Sequence, residues 1–319
     1  MSNATLRIAE IPRELAGLRL DRALAAVFPD VTRSQLQQWI ADGRISVGDR
    51  TPRKRDKVAG GERIEIRLPP PRETTALAES IPLEVVHEDA SLLVVNKPAG
   101  LVAHPGAGNP RGTLLNALLH HAPELARLAR AGIVHRLDKD TSGLMVVAKT
   151  EHARQRLSRD LESRRVKREY VAVVNGVMIA GGTVDAPIGR HRVERTRMAV
   201  TDRGRHAVSH YRVMKKYRAH TLVRVSLESG RTHQIRVHLA HIRFPIVGDP
   251  VYGGRLRIPK NMSAALADRL RGFKRQALHA AKLSLTHPET GAAMRWTASV
   301  PLDMSELMEA LAEDQKGNR

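Results

Sequence analysis

Apolar positions recur with two different periods along the chain. "RLDRALAAVF" (residues 19–28) carries them at helical spacing, and Pro29 and Asp30 break the run. Thr32 fits an N-cap with Gln35 three residues on, which predicts a helix over "RSQLQQWIAD" (33–42), and Gly43 fits the position just past its end. "RISV" and "ERIEIRL" alternate like short strands. "LPPPRETTALAES" (68–80) is proline-rich and polar, a linker by composition. A second part starts at "IPLEVVHED". There "SLLVVNKPAG" reads as an apolar strand and "GTLLNALLHHA" as a short helix. "GIVHRL", "GLMVVAK", "REYVAVVNG", "AVSHYRVMKKY" and "HTLVRVSLES" follow as β-like runs separated by Gly, Asp and Ser. "SELMEALAEDQ" predicts an acidic amphipathic surface helix. The expectation is an α+β chain: a small module over 1–70, a linker over 71–80, and a larger domain over 81–319 on a mixed, mostly antiparallel sheet.

Composition narrows the partners. Hydrophobic residues make up 42% of the 319, enough for a core. No apolar run approaches the length of a membrane span, and the N-terminus lacks the layout of a secretory signal. With no cysteine, disulfides, thiolate catalysis and cysteine-ligated metals are excluded, and a reducing cytoplasm is the expected compartment. The 53 Lys and Arg against 33 acids point to a polyanion such as nucleic acid. The excess is uneven: residues 151–260 hold 24 basic against 9 acidic residues, residues 1–70 only 13 against 9. In the small module Arg33, Arg44, Arg53, Lys54, Arg55 and Lys57 mark either an RNA-facing or a merely solvated surface.

Several chemistry-bearing patterns fail. "GAGNPRG" (106–112) lacks both the Gly-Lys-Ser/Thr ending of a phosphate loop and dinucleotide-fold spacing, so it reads as a tight turn. His233, His238 and His241 cluster, but Arg231, Arg236 and Arg243 interleave with them and disfavour a cation, so no metal is expected. Aromatics at 3% are too few for a broad base-stacking sheet. The stretch "GIVHRLDKDTSGLMVVAKT" (132–150) is different. It reads as two strands around a turn "KDTSG". Asp140, ahead of Thr-Ser-Gly, suits a side chain that bonds the turn backbone. Asp138 stands where an apolar run ends, a place where a rigid scaffold presents a functional group; its position alone leaves a working and an idle acid both open.

"HRLDKDTSG" resembles the signature of the RluA-type pseudouridine synthases. The likeness continues through "KREYVAVVNG", "GRTHQIRVHLAHI", "VGDPVYGG" and "QALHA", with no departure at a motif position. The small module resembles an S4 RNA-binding domain, and together they cover nearly the whole chain. "HPGAGNP", "GGTVDAPIGRH" and "RTRMAV" are similar to the RluD-like branch, which modifies uridines in a loop of large-subunit ribosomal RNA, the helix 69 loop. The resemblance implies an isomerase that converts uridine to pseudouridine without metal or other cofactor. It makes Asp138 the catalytic carboxylate, Arg231 its guanidinium partner and Tyr170 the ring that stacks on the target base, where a core tyrosine is the alternative. Leu278 supplies an apolar wall. Arg136 fills the gap left by the extruded nucleotide. Arg33, Arg44, Lys54 and Arg55 are candidate RNA contacts. The expected partner is 23S ribosomal RNA, with no membrane, and the expected state is a monomer. Alternatives are a relative acting on other ribosomal or transfer RNA sites, a non-catalytic RNA-binding or ribosome-assembly factor, and a nucleoside hydrolase.

Overall fold

The computed structural model describes residues 6–28, 31, 33–68, 76–106, 108–194, 197–256, 258 and 262–317. The chain divides into two compact units, Met1–Glu73 and Thr74–Arg319.

In the first unit β1 (Leu6–Glu10) is followed by α1 (Leu20–Val27), α2 (Arg33–Ala41), β2 (Ile45–Val47) and β3 (Arg63–Arg67), and the strands form an antiparallel sheet in the order β1-β3-β2. Leu20, Ala23 and Leu24 of α1 and Leu36 and Ile40 of α2 are buried at the spacing of one helical face, packed with Ile45, Ile64 and Ile66. Gly43 adopts φ +67° just past α2, and its N–H bonds Ile40 O at 3.1 Å while Arg44 N–H bonds Trp39 O at 2.8 Å. Pro29, Asp30 and Thr32, the expected break and N-cap, lie outside the described residues, as do 69–75 of the expected linker.

The same core buries one charge. Asp21 is fully enclosed and accepts from Arg19, Arg33 and Gln37, with Arg33 Nη2 and Gln37 Nε2 each at 2.6 Å. Burial raises its pKa, but the hydrogen bonds from Arg33, Gln37 and Arg19 outweigh burial and bring it down to about 2.

The second unit runs β4 (Glu84–Glu88), β5 (Leu92–Lys97), α3 (Leu114–His121), β6 (Ser142–Ala148), α4 (Glu151–Glu162), β7 (Lys167–Asn175), β8 (Gly182–Asp185), β9 (Ile188–Arg190), β10 (Met198–Val200), β11 (Val208–Lys216), β12 (His220–Leu227), α5 (Gln234–His241), α6 (Ala264–Gly272), β13 (Leu278–Thr286), β14 (Ala293–Thr297) and α7 (Leu302–Gly317). Nine of these strands make one sheet in the order β4-β5-β6-β13-β7-β12-β11-β8, with β14 on β13; β9 and β10 pair separately. Its pairs are antiparallel except β6 with β13, so the sheet is mixed, as the strand pattern predicts.

All seven residues of β6 are buried because both faces of the sheet are covered. Met145 and Val147 join Leu93 and Val95 against α3, while Leu144, Val146 and Ala148 join Leu92 and Val94 against Ala153 and Leu157 of α4. The acidic helix expected at the surface is α7, and it docks: Met304, Leu307 and Leu311 lie in the main core.

The strand expected over "GIVHRL" does not form. Residues 133–138 carry one bridge, Ile133 to Val147, and the His135 ring accepts from Val146 N–H at 3.1 Å. One edge of β6 is filled by β5; on the other, β13 takes Ser142–Gly143 and the His135 ring takes the Val146 N–H, so the incoming chain pairs only at Ile133. The predicted tight turn at 106–112 holds, with Gly106 and Asn109 exchanging backbone bonds of 3.1 and 3.0 Å.

Gly143 makes the parallel crossing possible. At its φ of +118° a Cβ would stand 2.4–2.7 Å from the Ala280 backbone. Gly143→Ala is expected to cost about 3 kcal/mol through backbone strain and forced separation, lowering Tm by roughly 6–12 °C for a unit of this size. Gly291→Ala, at φ +73° with open space around it, should cost about 1 kcal/mol. Calorimetry of both variants checks the difference.

Asp21 makes the stability of the first unit acid-sensitive. Its folded pKa lies below the ordinary value, so its contribution is complete above about pH 4 and is lost as pH falls through about 2. Asp21→Asn should lower the protection of β3 amides at neutral pH and flatten their decline between pH 4 and 2, as read by hydrogen exchange on the full chain.

Candidate active site

The turn that carries Asp138 is held by its backbone. Lys97, at the end of β5, is buried and donates Nζ to Pro98 O at 2.7 Å, Leu101 O at 2.9 Å and Lys139 O at 2.9 Å. Gly100 N–H bonds the same Lys139 carbonyl at 3.0 Å, and Arg275 reaches Asp140 O at 3.3 Å. Gln276 donates to Thr141 Oγ1 at 2.9 Å, and Ser142 Oγ bonds His279 Nδ1 at 2.9 Å. Burial pushes the Lys97 ammonium down to about 7, while Asp140 and then Asp138 pull the other way.

The turn does not close as expected. Thr141 N–H bonds the Asp138 carbonyl at 3.1 Å, and among the described residues the Asp140 carboxylate makes no hydrogen bond. The backbone amide that it was expected to cap already has a partner, and Asp140 acts through its charge on Lys97 instead.

The Asp138 carboxylate faces α5 and is 19% exposed. Arg236 Nη1 donates to its Oδ2 at 3.0 Å from a side chain only 5% exposed. The rest of that guanidinium is bidentate to Asp249, through Nε at 2.7 Å and Nη2 at 2.9 Å. Asp249 in turn accepts the Val251 and Tyr252 N–H groups at 2.9 Å each, and the Tyr252 ring lies under the guanidinium at 5.0 Å. Burial opposes the charge on Arg236, but Asp249 and Asp138 outweigh it and keep the group fully protonated.

His233 is the N-cap residue of α5, in a left-handed conformation with φ +57°, three residues before Arg236. Its Nε2 is 3.9 Å from Asp138 Oδ1, and its Nδ1 bonds Tyr252 Oη at 2.8 Å. Tyr252 Oη also accepts from Met198 N–H at 2.9 Å, and its bond with His233 Nδ1 orients the ring so that Nε2 faces Asp138. Burial lowers the His233 pKa, with Asp138 opposing.

The guanidinium at Asp138 is therefore Arg236, and the expectation for Arg231 is corrected. Arg231 is exposed and sends Nε to His206 O at 3.2 Å. It precedes α5, whose first turn directs Arg236 toward Asp138. Tyr170, on β7 opposite Val225 and Ala280, is 5% exposed. Burial raises its pKa, and the charges of Arg168 and Asp138 both reach its hydroxyl. Leu278 is buried on β13 beside Ala172 of β7. Arg136 is exposed, and among the described residues it has no hydrogen bond or ion pair.

In the first unit Arg33 is committed to Asp21, although its side chain remains 44% exposed. Arg44 stands 4.0 Å from Asp42, and Lys54 and Arg55 are exposed. Sequence reasoning did not single out Lys97, Asp249 or Tyr252, and it chose the wrong arginine of "GRTHQIR". Only the start of α5 separates the two arginines: Arg236 lies inside the helix and Arg231 ahead of it. His238, expected not to bind metal, gives Nδ1 to Ser209 Oγ and Nε2 to Ala186 O, each at 2.9 Å.

Residues 91–241 match the RNA pseudouridylate synthase family, and residues 18–64 match the S4 domain. The chain is 54% identical to the Pseudomonas aeruginosa ribosomal large subunit pseudouridine synthase D, covering 99% of each. It is 55% identical to the Haemophilus influenzae protein of the same name, covering 96% of this chain and 95% of that one. A solved human structure, RNA pseudouridylate synthase domain containing 4, superposes with a TM-score of 0.56 at 28% identity, over 72% of this chain and 93% of that one. An acid held at a turn between β5, β13 and α5, matched over almost the whole length by such relatives, places this chain in the RNA pseudouridylate synthase family, with an S4 domain ahead of the catalytic unit.

Proposed function

We propose that the protein isomerises uridine to pseudouridine in large-subunit (23S) ribosomal RNA, in the loop of helix 69, using Asp138 and no cofactor. One observation supports this most directly: a partly exposed carboxylate on a pinned turn, backed by a buried guanidinium. The reaction breaks the N1–C1′ bond, rotates the uracil and forms C5–C1′. The proton on C5 is lost and N1 takes one up, so atoms balance without a redox partner. A carboxylate serves as nucleophile or base in any version of that sequence.

Tyr170 supplies the face on which the extruded base stacks, and Leu278 closes the apolar side. The backbone bonds from Lys97, Gly100 and Arg275 hold the turn still, so the carboxylate needs no rearrangement when RNA arrives. The S4 domain and the basic residues 151–260 supply sequence-independent affinity for phosphates. Among the described residues no helix is long and apolar enough to cross a membrane. The protein is proposed to act as a monomer in the cytoplasm, where the substrate RNA is made.

The test of the whole reading is pseudouridine mapping on large-subunit RNA treated with the protein, together with tritium release from 5-tritiated uridine. Asp138→Asn should lower release by about four orders of magnitude, as expected for loss of the reacting group. Asp140→Asn should remain within roughly tenfold of wild type. Equal losses would defeat the division of labour between the two acids.

Arg236 and Arg231 are separable in the same assay. Arg236→Lys keeps a charge but cannot reach both Asp249 and Asp138, so single-turnover rates should fall about 10²-fold. Arg236→Gln should also destabilise the fold by about 3–5 kcal/mol, because Asp249 is left buried and unpaired. Arg231→Ala should melt like wild type and keep its rate within roughly tenfold. A larger loss in Arg231→Ala than in Arg236→Lys overturns the assignment.

A further inference from the structure

Two donors beside the site have nothing to bond. Arg168 lies on β7 two residues before Tyr170, on the same face of the strand and about 7 Å along it. Its side chain is half-buried and its Nε is buried without a partner. Among the described residues the guanidinium makes no hydrogen bond or ion pair. It rests over Gly230, where Nη1 stands 3.1 Å from the position a Cβ would occupy. The buried and half-buried cations nearby are engaged, Lys97 by three carbonyls, Arg236 by two carboxylates and Arg275 by Asp303, whereas Arg136 is exposed and unpaired among the described residues. The nearby acids are committed as well. Glu169 is on the other face of β7 with Arg224, and Glu228 bonds Arg164 and His210.

The second donor is His135. Its Nε2 accepts Val146 N–H at 3.1 Å, so the proton of the neutral ring sits on Nδ1, which is buried and unpartnered. Burial, with the Arg168 charge added, holds that ring neutral, its pKa pushed down to about 3. A half-buried guanidinium without an acceptor is incompletely matched, and an anion with several oxygens satisfies its donors. The charges of Arg168 and Asp138 both act on the Tyr170 hydroxyl, so both side chains lie near that ring.

We propose that Arg168 forms a phosphodiester subsite that grips the RNA backbone at the extruded uridine and so holds its ribose over Asp138. This rests on the reading that the base stacks on Tyr170 and reacts at Asp138. The spacing suits it: a residue about 7 Å along the strand from the stacked base reaches the backbone of that nucleotide, not its ring. A bidentate guanidinium matches phosphate geometry, and Gly230 leaves room for the guanidinium to lie flat against the turn.

The test uses the full chain and a stem-loop RNA with one target uridine, prepared with single methylphosphonate linkages at each position flanking it. With wild-type protein under single turnover, one linkage beside the target should cost about 10–100-fold, and the others far less. Arg168→Gln should lose a similar factor on unmodified RNA and lose nothing further at that linkage, because both changes remove the same contact. Arg168→Lys should recover part of the rate. If every linkage tolerates methylphosphonate, or if the two losses multiply, the subsite is wrong. If Arg168→Gln does not fold, the wild-type scan alone decides. If wild-type protein makes no pseudouridine on unmodified RNA, the reading beneath the proposal has failed instead.

Discussion

The catalytic unit is organised around one guanidinium shared between two carboxylates. Arg236 is buried, and a buried cation persists only when its charge and its donors are matched. Asp249 matches two donors and Asp138 a third. That arrangement links three parts of the chain distant in sequence: the turn after Leu137, the first turn of α5, and the loop after Val247. Tyr252 completes it by lying under the guanidinium while its hydroxyl bonds His233 Nδ1 and orients that ring.

The division between the two acids follows from what each is bonded to. Asp249 is saturated by Arg236 and by two backbone amides, so it is a structural anchor. Asp138 receives one donor at hydrogen-bond distance and keeps part of its surface open. Its stillness comes from the backbone on either side. Lys97 gathers three carbonyls at the base of the turn, and the parallel register of Ser142–Gly143 against His279–Ala280 fixes the strand that leaves it.

The first unit uses the same device at smaller scale. Asp21 is wholly buried and draws Arg19 and Arg33 toward it, each arginine leaving much of its side chain in solvent. Arginines held by a buried acid lose less conformational entropy when they meet a phosphate. This suits a module whose own charge excess is small, 13 basic against 9 acidic residues over 1–70.

Much of this was written locally in the chain. Helical spacing placed α1 and α2, and Gly43 marked the end of α2, because those signals depend on near neighbours. Apolar runs placed β5, β6, β7, β11 and β12. Motif order placed Asp138, Tyr170 and Leu278 in one unit by resemblance, and the basic excess pointed to RNA. What the sequence could not determine is which side chains meet. "GIVHRLD" has the composition of a strand, but it meets β6 through one bridge and a side-chain bond from His135 rather than a ladder. "SELMEALAEDQ" shows an amphipathic face, but not that Met304, Leu307 and Leu311 complete the core. Of two arginines in "GRTHQIR", only the start of α5 decides that Arg236 points at Asp138 while Arg231 turns to His206 O. Contacts across a hundred residues are set by strand order and helix phase, and these are properties of the assembled sheet rather than of any local window.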